Sequence, residues 1–287
     1  MHGLCVFLDS GFAAARRPGM TPKYSVPRME RSVTQQPTVR QALARYAPFL
    51  ISVALGLAAW EIVGRQAGAA FMAPLSETLV RLWELTQSGE LGRQALSSAA
   101  LFGTGLSLAF VVGMPLGLLL ARVRLLREAL DLYIMILYAT PMVALIPFIL
   151  SLMGFGFAPK VLVVFLFAVF SILYNTVEGA RSIKPELLEV AHSYRSSEWA
   201  LWRDVIVPYT LPFTMTGLRQ AIGRALVGMV AAEFFLSSTG LGQLIMTANQ
   251  NFDTAAVFAA ILIIVAAGLA LTRIGIALEQ HFTRWRH

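Results

Sequence analysis

Stretches of about twenty almost uncharged residues recur along this chain, and each is long enough to cross a hydrocarbon layer of about 30 Å. A helix satisfies its own backbone hydrogen bonds, which is the main requirement for a segment that crosses lipid. Charged residues make up 14% of the 287 residues, whereas soluble domains carry roughly 25%. We therefore predict an all-α, multi-pass membrane protein.

The hydropathy pattern predicts about six spans within a transmembrane domain of residues 45–280. Their approximate ranges are 47–63, 95–121, 130–152, 160–177, 209–236 and 254–278. Residues 76–87 are predicted to form a short interfacial helix with one apolar face. That face consists of Leu79, Leu82, Trp83 and Thr86. A polar loop is expected between the fifth and sixth spans.

Residues 1–44 are expected to be a disordered cytoplasmic tail, and residues 281–287 a cytoplasmic C-terminal tail. The first apolar run is interrupted by Asp9, and basic residues follow it rather than precede it, which is untypical of a signal peptide. Met20 and Met29 are candidate start sites.

The lysine and arginine residues predict the orientation. Of these 23 residues, seventeen lie in segments that the spans place on one side, four on the other side and two within the fifth span. Because Lys and Arg concentrate on the cytoplasmic side, both termini and residues 185–208 are predicted to be cytoplasmic. The net charge of +7 is thus an orientation signal in a chain that contacts membrane lipid, and no nucleic-acid partner is expected.

Residues 185–208 interrupt the apolar pattern with a mixture of polar and apolar residues. They are called the 185–208 segment below. Pro185 suits the first turn of a helix, and Ser197 is a candidate N-cap for a second one. Apolar residues recur at helical spacing in both, at Leu187, Val190, Ala191 and Tyr194 and then at Trp199, Trp202 and Ile206. The pattern predicts two short amphipathic helices joined by a turn.

The charges of this segment indicate what it contacts. A helix that lies on anionic lipid carries Lys and Arg on its polar face, whereas this face carries Glu186 and Glu189. A groove in another protein, which accepts apolar side chains at i, i+3 and i+4, is the better partner. The alternative is a loop helix that rests on its own bundle.

The 185–208 segment resembles the EAA loop of binding-protein-dependent ABC importer permeases. That loop reads Glu-Ala-Ala, three residues, Gly, nine residues and then Ile-x-Leu-Pro. The matching residues are Glu189, Val190 and Ala191 at one end and Val205, Val207 and Pro208 at the other. The glycine position holds Arg195. If that turn needs a positive φ, arginine should cost roughly 1 kcal/mol or more there, which puts the efficiency of coupling in question.

The resemblance extends over roughly residues 45–285. Stretches such as GMPLGLLLARVRLLREALD and NTVEGARSIKPELLEVA look like the sulfonate, taurine and nitrate branch of these permeases. The resemblance implies a bacterial inner-membrane permease that forms a dimer, is driven by a separate ATP-binding cassette subunit and receives solute from a periplasmic solute-binding protein. It implies that Glu189, Ala191 and Arg195 contact the ATPase or shape that contact. We add Glu186, Tyr194 and Trp199 to this candidate coupling site.

The chain is not expected to hydrolyse ATP itself. A P-loop requires GxxxxGK followed by Ser or Thr, and the three lysines, Lys23, Lys160 and Lys184, all follow residues other than glycine. We therefore expect no enzyme activity, no metal and no cofactor in this chain, and ATP is used by the partner subunit.

Charged residues within the predicted fifth span are candidates for the translocation path. A central arginine costs about 2.5–3.5 kcal/mol on insertion scales. Arg219 and Glu233 lie roughly 21 Å apart along a helix and are not expected to pair. As a hypothesis, Arg219 or Arg224 faces the path and attracts an anionic solute. The alternative is an arginine buried in the bundle and bonded to carbonyl groups or a carboxylate. Pro141, in the third span, either lines the path or produces a packing kink.

Gly113 and Gly117 form a GxxxG pair, which allows close approach of two helices. The pair could mark a dimer seam, but we favour packing within the chain.

The resemblance implies a small solute, and we expect an anionic one like a sulfonate, taurine or nitrate. The alternatives are a permease for a small heterocyclic vitamin precursor and an ATP-independent secondary transporter. A secondary transporter should show inverted repeats, and the sequence shows no convincing internal repeat.

Overall fold

The computed structural model describes residues 39–68, 71–236 and 238–283. The first 38 residues of the predicted N-terminal tail and residues 284–287 fall outside these ranges. By its internal contacts the chain divides into residues 1–51, which include the start of the first helix, and residues 52–287. The site described below lies in the second unit.

The described residues form eleven α-helices and no strand. They are α1 (Val39–Ala67), α2 (Leu75–Gln87), α3 (Glu90–Arg122), α4 (Arg124–Ala139), α5 (Ile146–Met153), α6 (Phe157–Arg181), α7 (Pro185–Ser193), α8 (Glu198–Leu201), α9 (Val207–Leu236), α10 (Leu241–Gln250) and α11 (Thr254–Thr283). A 3-10 turn (Met142–Leu145) precedes α5, and a π-helical turn (Trp202–Ile206) joins α8 to α9. α1 begins at Val39, inside the tail that was expected to end at residue 44.

Within the described part of the chain, four helices are long and apolar enough to cross a membrane: α3, α6, α11 and the part of α1 from Ala47. α4 and the Met142–Met153 helix together make a fifth candidate. The multi-pass, all-helical prediction is confirmed. α9 has 30 residues, but its arginines and glutamate leave it less apolar than the others. α9 corresponds to the predicted fifth span, and its crossing of the membrane stays a prediction.

The predicted third span is not one continuous helix. It bends by 95° between α4 and the 3-10 turn. Thr140 is extended, with ψ 130°, and Pro141 follows with φ −60° and ψ 102°. Proline disfavours a helical conformation in the residue before it and offers no N–H to the preceding turn. The expected kink is therefore a full break.

α6 lies at the centre of the core, packed between α3 and α9. The small residues of α3 allow this approach. A Cβ added at Gly113 would lie 3.3 Å from Ile172, and one at Gly117 would lie 2.8 Å from Thr176. The GxxxG pair therefore packs within the chain, as favoured from the sequence.

The predicted polar loop after α9 contains a helix, α10. Its buried residues Leu241, Leu244 and Ala248 recur at helical spacing and pack in one cluster with Ala256 of α11 and Leu85 of α2. The prediction of a loop was wrong because the polar residues between these positions masked a short amphipathic pattern. In α2, Leu79 and Trp83 of the predicted apolar face are exposed, whereas Thr78 and Leu85 are buried.

Candidate functional site

The 185–208 segment begins as its sequence predicts. Pro185 occupies the first turn of α7. Backbone N–H groups in the first turn have no partner within the helix, so a residue without an N–H loses no hydrogen bond there. The Ser197 hydroxyl accepts a hydrogen bond from the Ala200 N–H at 3.2 Å and caps α8. The second helix differs from the expectation. α8 is a single turn that runs through the π-helical turn into α9 without a break at Pro208.

The inner face of the segment rests on its own bundle. Ala191, Leu201 and Ile206 are buried in one cluster with Leu118 near the end of α3. Arg122, the last residue of α3, lies 3.7 Å from the Glu198 carboxylate. The segment is therefore anchored to the transmembrane helices by apolar packing and one ion pair.

The outer face of the segment remains exposed. Tyr194 is 82% and Trp199 74% exposed. Other exposed residues of the segment include Glu186, Leu187, Glu189, Val190 and Arg195. The apolar side predicted for α7 is thus divided, because Ala191 packs inward while Leu187, Val190 and Tyr194 point away from the bundle. Exposed apolar groups rimmed by charges are typical of a protein-binding surface.

The charges of the segment are set by short-range pairing. Arg203 donates a hydrogen bond to the Asp204 carboxylate at 2.7 Å, and this bond lowers the pKa of the Asp204 carboxyl. Both groups therefore stay ionised at neutral pH. Arg195, Glu186 and Glu189 are exposed beyond them, so the outer face presents charges of both signs.

The charged residues of α9 have separate partners. Arg219 Nε lies 2.6 Å from a carboxylate oxygen of Glu279 in α11, and the Thr216 hydroxyl donates to the same carboxylate at 2.6 Å. Glu233 points instead toward α3 and α10. The prediction that Arg219 and Glu233 do not pair is confirmed. Arg219 is bonded to a carboxylate, as the alternative expected, but its side chain is 39% exposed, and its place in the path stays a prediction.

Arg224 lies on an exposed face of α9 and meets Tyr138 near the end of α4. Its guanidinium donates a hydrogen bond to the Tyr138 hydroxyl at 3.0 Å and lies 5.2 Å from the centre of the ring. The Tyr138 ring packs edge-on against Phe170 and Tyr174 of α6. Three helices thus converge on this arginine.

Two cavities flank the Tyr138–Arg224 contact, and both are lined in part by Tyr138, Phe170 and Arg224. The first has a volume of about 280 Å³ and is otherwise apolar, with Met142, Leu166, Phe167 and Val227. The second has a volume of about 340 Å³ and is otherwise mostly polar, with Ser171, Tyr174, Asn175 and Gln220. Pro141 is exposed at the bend beside Met142 and belongs to neither lining.

Comparison with known proteins shows which family has this architecture. Residues 113–284 match the family of binding-protein-dependent transport system inner membrane components. The chain belongs to this family. The permease is also 35% identical over 218 residues to the riboflavin transport system permease protein RibX of Chloroflexus aurantiacus, covering 75% of this chain and 81% of RibX. It is 31% identical over 240 residues to SsuC of Bacillus subtilis, named as an aliphatic sulfonates transport permease protein, covering 83% of this chain and 87% of SsuC.

The fold of the permease is similar to a solved one. A chain of the MetNI methionine ABC transporter, in an inward-facing conformation, matches with a TM-score of 0.59 at 17% identity, over 69% of this chain and 98% of that chain. Family and fold together establish a multi-pass inner-membrane permease of an ABC importer. Such permeases are not enzymes and work with a separate ATPase.

Sequence reasoning missed the role of Glu233, which is 1% exposed. Its carboxylate accepts hydrogen bonds from the Ser98 hydroxyl at 2.6 Å and from the Gly242 N–H at 2.8 Å. Ser98 also accepts from the Leu241 N–H at 2.8 Å. A carboxylate at a helix N-terminus is stabilised by the free N–H groups there. Glu233 therefore joins α9 to the start of α10 and to α3. The sequence offered one weak signal of this contact, the glycine at position 240 just before α10. A Cβ at Gly240 would overlap the Glu233 carboxylate.

Proposed function

We propose that the permease carries a small anionic solute across the inner membrane and is driven by an ATP-binding subunit that binds the outer face of the 185–208 segment. The observation that carries this proposal is the division of the segment into a buried inner face, with Ala191, and an exposed outer face, with Tyr194 and Trp199. A segment held firmly on one side and open to a partner on the other can transmit force.

The connection to α9 provides the route for that force. The chain stays helical from Glu198 through the π-helical turn into α9. Arg224 lies about 25 Å along α9 from its start. Because a helix moves nearly as a rigid body, displacement of the segment would shift Arg224 relative to α4. This continuity supports Glu186, Glu189, Ala191, Tyr194, Arg195 and Trp199 as the coupling site, with Ala191 acting through the anchoring of the inner face.

The exposed face around Arg224 is the proposed wall of the translocation path. Gln220 and Arg224 of α9 and Tyr174 of α6 are exposed there. An arginine held against lipid at this depth would cost about 2.5–3.5 kcal/mol. Water in the path and a second copy of the permease would avoid that cost, which supports a dimer closed around this face. Arg219 is paired with the Glu279 carboxylate, so it does not require water or a second copy of the permease to offset the cost of its charge.

The positive charge at Arg224 supports an anionic solute, and the likeness to SsuC agrees with a sulfonate. A small heterocyclic vitamin precursor is the second candidate, because RibX is 35% identical and the 280 Å³ cavity has aromatic walls. We expect a periplasmic solute-binding protein to deliver either solute. Both termini and the 185–208 segment would then lie in the cytoplasm.

Reconstitution tests the proposal. The permease is placed in liposomes with an ATP-binding subunit and a periplasmic solute-binding protein, and uptake of a labelled sulfonate and of riboflavin is measured with and without ATP. We expect ATP-dependent uptake of one of them. Uptake at the same rate without ATP would show a secondary transporter instead.

A further inference from the structure

The walls of the two cavities around Arg224 change from polar to apolar in the same order along two helices. On α9, Gln220, Arg224 and Val227 follow one another at spacings of four and three residues, so they lie on one face of the helix. On α6, Asn175 lines the polar cavity and Phe167 lines the apolar one. Because α6 ends and α9 begins at the 185–208 segment, the polar end of both walls lies toward that segment.

The polar end offers a cation and hydrogen-bond donors. The Arg224 guanidinium gives one N–H to the Tyr138 hydroxyl, and a guanidinium carries several further N–H donors. The Gln220 side-chain oxygen accepts from the Asn175 amide at 3.3 Å, which leaves the NH₂ group of Gln220 as a donor beside the arginine. Anionic oxygens bonded to a guanidinium form contacts roughly twice as strong as those of neutral acceptors. This end therefore suits an anionic head group with several oxygen atoms.

Neither cavity has a group that balances a cation of the solute. Among the described residues that line the two cavities, Arg224 is the single charged one. A third cavity shares Tyr174 with the polar one. Its carboxylates and guanidinium groups are equal in number, from Asp131, Glu178, Arg127 and Arg181. An ammonium group close to the head group would lie near the Arg224 cation without a carboxylate, and a charge removed from water without a partner is unfavourable.

We infer that the two cavities are the halves of one site for an organic sulfonate that has an apolar tail and no cationic group. Arg224 and Gln220 hold the sulfonate oxygens, and the tail lies against Phe167 and Val227. This inference rests on the proposed function and narrows the solute, because alkylsulfonates and arylsulfonates satisfy both halves. Nitrate would leave the apolar half empty, and taurine would place its ammonium group there. No covalent step is involved.

The apolar half makes affinity depend on the tail. The cavities have volumes of about 280 and 340 Å³, near the lower end of the range for small-molecule sites, about 300–1,000 Å³. The apolar half therefore accommodates a short tail. Each CH₂ group that the tail removes from water raises the affinity roughly fourfold, so the affinity should rise with tail length over the first few carbon atoms.

Ligand binding to the transporter without a solute-binding protein tests the site, because the selection is then that of the permease. The permease and an ATP-binding subunit are reconstituted in nanodiscs, and binding of labelled butanesulfonate is measured in competition with unlabelled compounds. Ethanesulfonate, with two fewer CH₂ groups, is expected to bind roughly tenfold more weakly than butanesulfonate. Nitrate, which has no tail, should be roughly tenfold weaker again. Taurine, which is ethanesulfonate with an added ammonium group, should also bind roughly tenfold more weakly than ethanesulfonate.

A variant that supplies the missing carboxylate gives the sharpest test. Val227 is 58% exposed, so a substitution there leaves the core intact. Binding of labelled ethanesulfonate and of labelled taurine is compared in each variant. Val227→Asp should make taurine the better ligand of the two, because the new carboxylate pairs with the ammonium group. Val227→Asn, which has nearly the same shape as the aspartate variant but no charge, should keep the preference for ethanesulfonate. Arg224→Gln should abolish binding of butanesulfonate.

The outcomes separate the site from the proposed function. ATP-dependent uptake of a sulfonate is measured on the same preparation after a solute-binding protein is added. If that uptake is present, equal affinity for ethanesulfonate and taurine, or for ethanesulfonate and butanesulfonate, would overturn the two-part site alone. An unchanged preference in Val227→Asp, unchanged binding in Arg224→Gln, or no binding of butanesulfonate would do the same. Uptake that does not need ATP would overturn the proposed function, whatever the binding shows.

Discussion

The Ser196 N–H donates a hydrogen bond to the Ala191 carbonyl at 3.1 Å and closes a turn in which Arg195 has φ 51°. This bond ends α7 with a residue in the left-handed region, a helix end that usually carries glycine. The EAA pattern that the 185–208 segment resembles has glycine at this position. The turn is thus kept in the permease while the residue that fits it best is absent.

Arg195→Gly is therefore expected to stabilise the permease by about 1 kcal/mol, because glycine adopts a positive φ without steric conflict. Thermal unfolding of the purified chain in detergent measures the change. The same substitution at Arg203, which lies in helical backbone, should lower stability. A loss of stability at both positions would show that Arg195 is not strained.

Gly117→Ala is expected to destabilise the permease by about 1–3 kcal/mol, since a Cβ at 2.8 Å from Thr176 overpacks the contact between α3 and α6. Gly103 is the matched control, because it lies in the same helix with no atom near its missing Cβ. Gly103→Ala should stabilise by about 0.5–1 kcal/mol. Opposite signs in urea or thermal unfolding are the expected result, and a stabilising effect at both positions would contradict the packing.

Glu233→Gln is expected to destabilise the permease by about 1.5–3 kcal/mol, the range for hydrogen bonds to charged groups. The amide NH₂ of glutamine would face one of the donors, Ser98 or Gly242, that the carboxylate now accepts from. Glu77→Gln, at an exposed position of α2, should change stability little. Equal effects of the two substitutions in unfolding experiments would show that Glu233 does not hold α10.

Arg224→Ala should reduce ATP-driven uptake of the solute anion roughly tenfold or more, the factor that corresponds to about 1.4 kcal/mol, while the complex with the ATP-binding subunit still assembles. Arg219→Ala should act mainly on stability, because it leaves the Glu279 carboxylate without its cation. Uptake and assembly are measured on the same preparations. Normal uptake with Arg224→Ala would remove this arginine from the path.

Hydropathy and local signals predicted most helices, because a span and a cap depend on residues close in sequence. Pro185, Ser197 and the turn at Arg195 could all be found in this way. The break at Thr140–Pro141 depends on how far the chain bends and was predicted only as a kink. The partners of Arg219, Arg224 and Glu233 could not be predicted, because the residues that meet them lie on other helices, 60, 86 and 135 residues away in the sequence.

Site-specific photo-crosslinking tests most directly whether the 185–208 segment binds the ATP-binding subunit. A benzophenone amino acid replaces Tyr194, or as a control Phe155, which is 78% exposed at the other end of α6. The assembled transporter is irradiated and separated by mass. We predict a product of permease and ATP-binding subunit from position 194 and none from position 155. A transporter that takes up solute with ATP but gives no product at position 194, or equal product at both, would contradict the proposed coupling.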